Sequence, residues 1–135
     1  MDKHPIALKN VFFTKTIVIA TPNYQPPEAG NVLSGPQNNI KSEPIKDSPR
    51  HYIATMQTKI NLEQEVAYPY SIDIECVGIF VVDDTLVEDE AYRAVMITAH
   101  SVLYGAIRET VAWITGRHPY GPFVLGLSVI QPTKG

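Results

Sequence analysis

Thr85 to Gly116 reads TLVEDEAYRAVMITAHSVLYGAIRETVAWITG, and the periodicity of this stretch decides what the rest of the chain has to supply. Both ends carry helix-boundary signals. Thr85 and Glu88 have the spacing of a capping box, in which hydroxyl and carboxylate each satisfy an orphan backbone N–H. Glu88, Asp89 and Glu90 place negative charge at the positive end of the helix dipole. Gly116 suits the residue after a helix end, and Pro119 forbids continuation. No proline falls between. At ~1.5 Å per residue the predicted helix is roughly 45 Å long.

Its interior is apolar nearly all round. From Ala91 to Ile114 the charged residues are Arg93, Arg108 and Glu109, with His100 as a fourth titratable group. One stripe runs Tyr92, Met96, Ala99, Leu103, Ile107, Thr110, Ile114. A second runs Ala91, Val95, Val102, Ala106, Trp113. An ordinary surface helix has a single apolar stripe, so this one is expected to be covered on two sides. One sheet provides one cover.

The residues before the helix read as that sheet. Ile6 to Ala20 is a predicted strand ending in the β-branched run Thr16, Ile17, Val18, Ile19. Its alternation falters at Val11, Phe12 and Phe13, which fits either a bulge or burial on both faces. Pro22 to Pro49 holds six of the eleven prolines and reads as a long connection, with room for a short edge strand within Ile40 to Ile45. Lys41, Pro44 and Lys46 suit an edge. Arg50 to Glu65 alternates most clearly, with Tyr52, Ala54, Met56, Thr58, Ile60 and Leu62 on one face. After a turn near Glu63 to Glu65, a last strand runs from about Ala67 to Val82. Tyr70, Ile72, Ile74, Cys76, Phe80 and Val82 face inward, and Ser71, Asp73 and Glu75 outward. Beyond Glu75 the outer face becomes Val77, Ile79 and Val81, so burial on both sides is expected there. Short turns between successive strands imply antiparallel pairing. After the helix, His118 to Gly135 is rich in Pro and Gly yet too apolar for a solvated loop.

Composition narrows the function classes. With 135 residues and 44% hydrophobic content, one domain with its own core is expected. The net charge of −3, without a basic run, speaks against nucleic-acid binding. Cys76 is the sole cysteine and sits on an inward strand face, so it reads as a buried, inert thiol. The N-terminus lacks an apolar signal core, and no segment approaches ~18 uncharged apolar residues, so a cytoplasmic protein without membrane insertion is expected. His4, His51, His100 and His118 lack metal-ligand spacing, and no Gly-rich phosphate loop is present. No metal, cofactor or catalytic constellation is expected. The acids from Asp83 to Glu90 read as helix-start electrostatics, and Arg108 and Glu109 as either a solvated pair or an ion pair across a helix interface.

The order of elements resembles the SecB-type preprotein-export chaperones. Phe13-Thr14-Lys15 with Thr21-Pro22-Asn23 is similar to that family's first strand and its exit. Val77-Gly78-Ile79-Phe80 looks like its Ala-Gly-Ile-Phe. Leu103 to Glu109 looks like its helix motif Leu-Phe-Pro-Tyr-Ala-Arg-Glu, with Gly105 in place of the proline. Gly121 to Val129 occupies the place of its apolar crossover. The motifs are collinear over most of the chain.

The resemblance implies an α+β fold, a four-stranded antiparallel sheet packed on one long helix, with an apolar crossover loop. It implies a dimer of dimers in which helices meet, and apolar grooves that bind unfolded polypeptides without nucleotide. The missing second cover is then another protomer, touched through Met96, Leu103, Ile107, Trp113 and Ile114. Tyr104, Tyr120, Phe123, Leu125, Leu127 and Val129 become the candidate groove, their plainer reading being core or interface. Asp73 matches an acid that docks the translocon motor ATPase in the family, whereas Thr16 and Ala20 are neutral where it has acids. Most of that docking patch is absent, and no counterpart of the family's C-terminal helix follows the crossover. Those departures tilt the expectation from general export toward a dedicated client, such as a toxin–antitoxin partner. The alternative is a non-chaperone assembly protein that keeps the fold.

Overall fold

The computed structural model describes residues 4–28 and 35–126. They form strands β1 (Ile6–Ala20), β2 (Gln37–Pro44), β3 (His51–Ile60) and β4 (Tyr70–Val82), followed by helix α1 (Glu88–Thr115). The sheet has the order β1-β4-β3-β2, with every neighbouring pair antiparallel. Helix α1 lies across one face and touches all four strands. The fold is the expected α+β arrangement.

Alternation in β3 and β4 builds the core. Tyr52, Ala54, Met56, Thr58 and Ile60 are buried, as are Tyr70, Ile72, Ile74, Cys76, Phe80 and Val82 opposite them. Burial of each large apolar side chain contributes about 1.5–3 kcal/mol. Leu62, expected inside, lies past the strand end and is 50% exposed. The chain turns there with Asn61 and Gln64 in the left-handed region, and Asn61 Oδ1 accepts from the Glu65 N–H at 2.7 Å.

The faltering alternation of β1 is explained by two bulges. Register against β4 shifts between Leu8 and Asn10 and again between Phe13 and Lys15. Each shift inserts one residue, Lys9 and Thr14, and restores the phase. Ile6, Leu8, Val11, Phe13, Thr16, Val18 and Ala20 thereby stand opposite helix-side residues of β4. Strand β2 begins three residues before the expected stretch, and lies at the other sheet edge. The outer face near Val77 is not covered by a second layer of described residues. Val77 is buried between its register partners Phe12 and Thr55, while Ile79 and Val81 are half-buried.

The helix ends differ from the expected ones. No capping box forms: Thr85 turns back, its N–H donating to Asp83 Oδ1 at 2.9 Å and its hydroxyl to the same oxygen. Val87 occupies the N-cap without a side-chain bond, and the acids Glu88, Asp89 and Glu90 serve the dipole alone. Gly116 is right-handed (φ −60°), so it terminates the helix without the left-handed conformation. His118 caps the far end, its Nδ1 2.8 Å from the Ile114 carbonyl.

The buried line on α1 mixes the two stripes. It runs Ala91, Val95, Ala99, Leu103, Ile107, Val111, Thr115, joined by His100 and Tyr104. Each four-residue step overshoots a 3.6-residue turn by about 40°, so the buried line winds well past halfway round the helix. Nearly all-round apolarity is partly this winding across a twisted sheet. Leu103 and Ile107 are fully buried inside the protomer, so they cannot serve the expected contact with another. Met96 and Ile114 are half-buried and Trp113 is 63% exposed; these stay available.

Candidate functional site

The second cover for the C-terminal half of α1 comes from the chain itself. After Thr115 the backbone turns at Gly121 (φ +79°) and residues 121–126 run back along the helix. Side chains on α1 and β4 hold this crossover. Tyr70 Oη donates to the Gly121 carbonyl at 2.6 Å, Arg108 Nε to Leu125 at 2.9 Å, and Tyr104 Oη to Gly126 at 2.7 Å. The Phe123 N–H donates to Thr115 Oγ1 at 2.8 Å, and that hydroxyl donates to Val111 at 2.6 Å.

Aromatic rings close one end. Tyr120 Oη donates to the Thr21 carbonyl at 2.6 Å, tying the crossover to the exit of β1. Its ring lies 4.9 Å from Tyr24 and 5.8 Å from Tyr70, while Phe123 and His118 meet Tyr70 edge-on at 6.3 and 5.7 Å. Burial pushes the Tyr70 hydroxyl above the usual tyrosine value, which keeps it a neutral donor.

These contacts redistribute the expected groove residues. Leu125 (2% exposed) and Tyr104 (4%) lie inside the core, Phe123 is half-buried, and Tyr120 remains 40% exposed. Leu127 and Val129 lie outside the described residues. Arg108 is half-buried, and its Nε donates to the Leu125 carbonyl. Tyr24, Tyr70 and Thr115 carry the site without having been singled out. Their signal is weak in sequence, because an ordinary Tyr or Thr becomes a site residue only through a partner far along the chain.

Asp73 is not a free docking acid. It is nearly buried, 2.7 Å from Lys15 Nζ, with Gln57 Nε2 at 3.4 Å. The neighbouring Glu75 accepts from the Thr14 hydroxyl at 2.6 Å. Cys76 is buried and its thiol pushed up to about 11, which keeps it protonated and unreactive. Among the described residues no group of three or more His, Cys, Asp or Glu side chains is placed to hold a metal, and no helix is long and apolar enough to cross a membrane.

A second set of apolar residues is left open. Strand β1, at the sheet edge among the described residues, shows Leu8, Val11, Phe12, Phe13, Ile17 and Ile19, each between 37% and 47% exposed. Along α1, Tyr92, Ile97 and Trp113 are exposed at separate places. Leu86, Ala94 and Ile97 line an open cleft of about 390 Å³ beside the helix start, rimmed by Asp89, Glu90 and Arg93.

A four-stranded antiparallel sheet backed by one long helix and its returning crossover is a SecB-like fold. The chain is similar in structure to the SecB-like chaperone Rv1957 of Mycobacterium tuberculosis, solved with a ChAD peptide from the antitoxin Rv1956 HigA1. The TM-score is 0.64 over 92% of this chain and 88% of that one, at 18% sequence identity. No family model and no curated protein matches the sequence.

Proposed function

We propose that this protein is a nucleotide-independent chaperone that holds unfolded or nascent segments of a dedicated polypeptide client. The observation that carries this reading is the set of apolar side chains left open on a folded chain: Leu8, Val11, Phe12 and Phe13 on β1, Tyr92, Ile97 and Trp113 at separate places along α1, and Tyr120 with Val124 on the crossover. Leu8, Val11 and Phe13 share the helix-side face of β1, and exposed apolar patches of this kind on a folded chain mark interaction sites. The structural likeness to a chaperone solved with an antitoxin peptide supports a peptide as that partner.

The same surface supports self-assembly. Among the described residues β1 is a fifteen-residue strand with no neighbour on its outer side, a template for another strand, and exposed Trp113 on α1 suits contact with a second helix. Homo-oligomerisation therefore belongs to the proposal, with a dimer of dimers as its fullest form. General export is disfavoured because Asp73 is neutralised by Lys15 and no acids flank it on β1. The role is binding and not catalysis, and a cytoplasmic setting goes with it.

The test is suppression of aggregation of slowly refolding clients at stoichiometric amounts, without nucleotide. Loss of effect across several clients, including antitoxin-like peptides, overturns the reading. A second reading, an assembly protein without chaperone activity, draws on the fact that Leu103, Ile107, Tyr104 and Leu125 are already consumed inside the protomer. Apolar-dye binding separates the two: a native oligomer that binds no dye favours assembly alone.

A further inference from the structure

The crossover is bound as a peptide is bound. Its backbone is read by side chains: three carbonyls, those of Gly121, Leu125 and Gly126, accept from Tyr70, Arg108 and Tyr104, and the Phe123 N–H finds Thr115. Its side chains alternate, with Phe123 half-buried, Val124 69% exposed and Leu125 enclosed. In recognition of an extended ligand, backbone bonds give affinity and pockets for alternate side chains give specificity. Side-chain donors aimed at carbonyls serve any extended backbone laid in that place.

We infer that residues 120–126 are an internal occupant of a peptide channel, and that an extended client segment with apolar side chains two residues apart replaces them on Tyr70, Tyr104, Arg108 and Thr115. This rests on the chaperone reading and specifies its client class, an apolar-x-apolar segment in extended form. It also supplies regulation. The tethered segment competes at high effective concentration, so weak apolar segments are refused and only those that outcompete it are held. A ligand whose site is mostly self-occupied binds more weakly by the fraction of open channel. The segment lies outside any strand ladder and is held by these side-chain bonds and by Leu125 in the core, so its release exposes one buried leucine, which a client's own apolar side chain replaces.

The experiment uses the full chain and a labelled synthetic peptide of residues 120–126. Leu125→Ser, which empties the enclosed pocket of its tethered occupant, is expected to bind the peptide at least about tenfold more tightly than the unaltered chain, following the rise in open channel. In the unaltered chain, peptide raised into the millimolar range is expected to speed hydrogen exchange at the protein's own Phe123 amide, as its bond to Thr115 is released. Equal or weaker binding by the variant, or exchange at Phe123 that is unchanged or slowed by peptide, overturns the inference and makes the crossover a fixed wall. The exchange measurement stands even where Leu125→Ser does not fold. Tight peptide binding by the variant with no client held by either chain overturns the chaperone reading and leaves the channel intact. Clients held by the unaltered chain with Phe123 exchange slowed does the reverse.

Discussion

Gly78 on β4 and Leu103 on α1 meet so closely that a Cβ at Gly78 would lie 3.0 Å from Leu103 Cδ2 and 2.7 Å from the Phe80 ring. Gly78 pairs with Ala54 on β3, so the sheet presents its two smallest side chains where the helix presses in. The Gly-Ile-Phe motif is thus a packing device: glycine admits the helix and phenylalanine fills the space beside it. Gly78→Ala is expected to destabilise the fold by about 1–3 kcal/mol, because both contacts belong to fully buried side chains. Urea unfolding checks this; a midpoint equal to the unaltered chain's would show that the interface can shift.

Arg50 fastens the loop between β4 and α1. It adopts φ +63°, and its guanidinium donates to the carbonyls of Val82 at 3.2 Å and Leu86 at 2.7 Å and also to that of Asp83. Hydrogen bonds from a charged group are worth about 1.5–3 kcal/mol each, less when part-exposed, as these are, or when several share one side chain. Arg50→Ala is expected to lower stability by about 2–3 kcal/mol. Arg50→Lys should recover little, since an ammonium lacks the planar fork. Full recovery in the lysine variant's unfolding curve would refute this role.

His100 makes stability depend on pH. It is buried against Tyr104, ring centroids 5.8 Å apart, and burial pushes its imidazole below the usual histidine value. In the unfolded chain the ring titrates near about 6.5. Between the two values the unfolded chain binds more protons, so stability falls as pH drops below about 6.5 and is flat above it. His100→Phe should flatten that part of the profile. Equal acid-side slopes for the two chains in unfolding midpoints against pH would count against the assignment.

Trp113 tests the proposed assembly. It is 63% exposed, with the Arg117 guanidinium carbon 4.5 Å from the ring centroid. As protein concentration rises and the mass in solution increases, its fluorescence is expected to shift to the blue as the α1 face is covered. Trp113→Glu should hold the chain in the smaller form. Association without a spectral change would place the interface elsewhere, with the β1 edge as the next surface to examine.

Strands β3 and β4 were legible because period-two alternation maps directly onto the two faces of a sheet. The bounds of β1 were legible too, although bulge and two-sided burial could not be told apart until the register put Lys9 and Thr14 outside the pairing. The site was legible only in outline. Phe123 and Leu125 stand out as apolar residues in a Pro- and Gly-rich stretch, but their anchors Tyr70, Arg108 and Thr115 lie from 8 to 51 residues away from the groups they bind. Nothing local marks such pairs.

The sequence by itself determined an antiparallel sheet, a long helix and an apolar return, because periodicity, proline placement and turn residues are local properties of the chain. It also determined that the helix needs more than one cover. Tertiary structure decided which helix residues go inside and what the second cover is. The buried line winds because 3.6 residues per turn does not match a four-residue repeat, so Leu103 and Ile107 end on the sheet while Trp113 ends in solvent. The crossover then closes over the winding face, and that placement depends on bonds from side chains to backbone made across the fold.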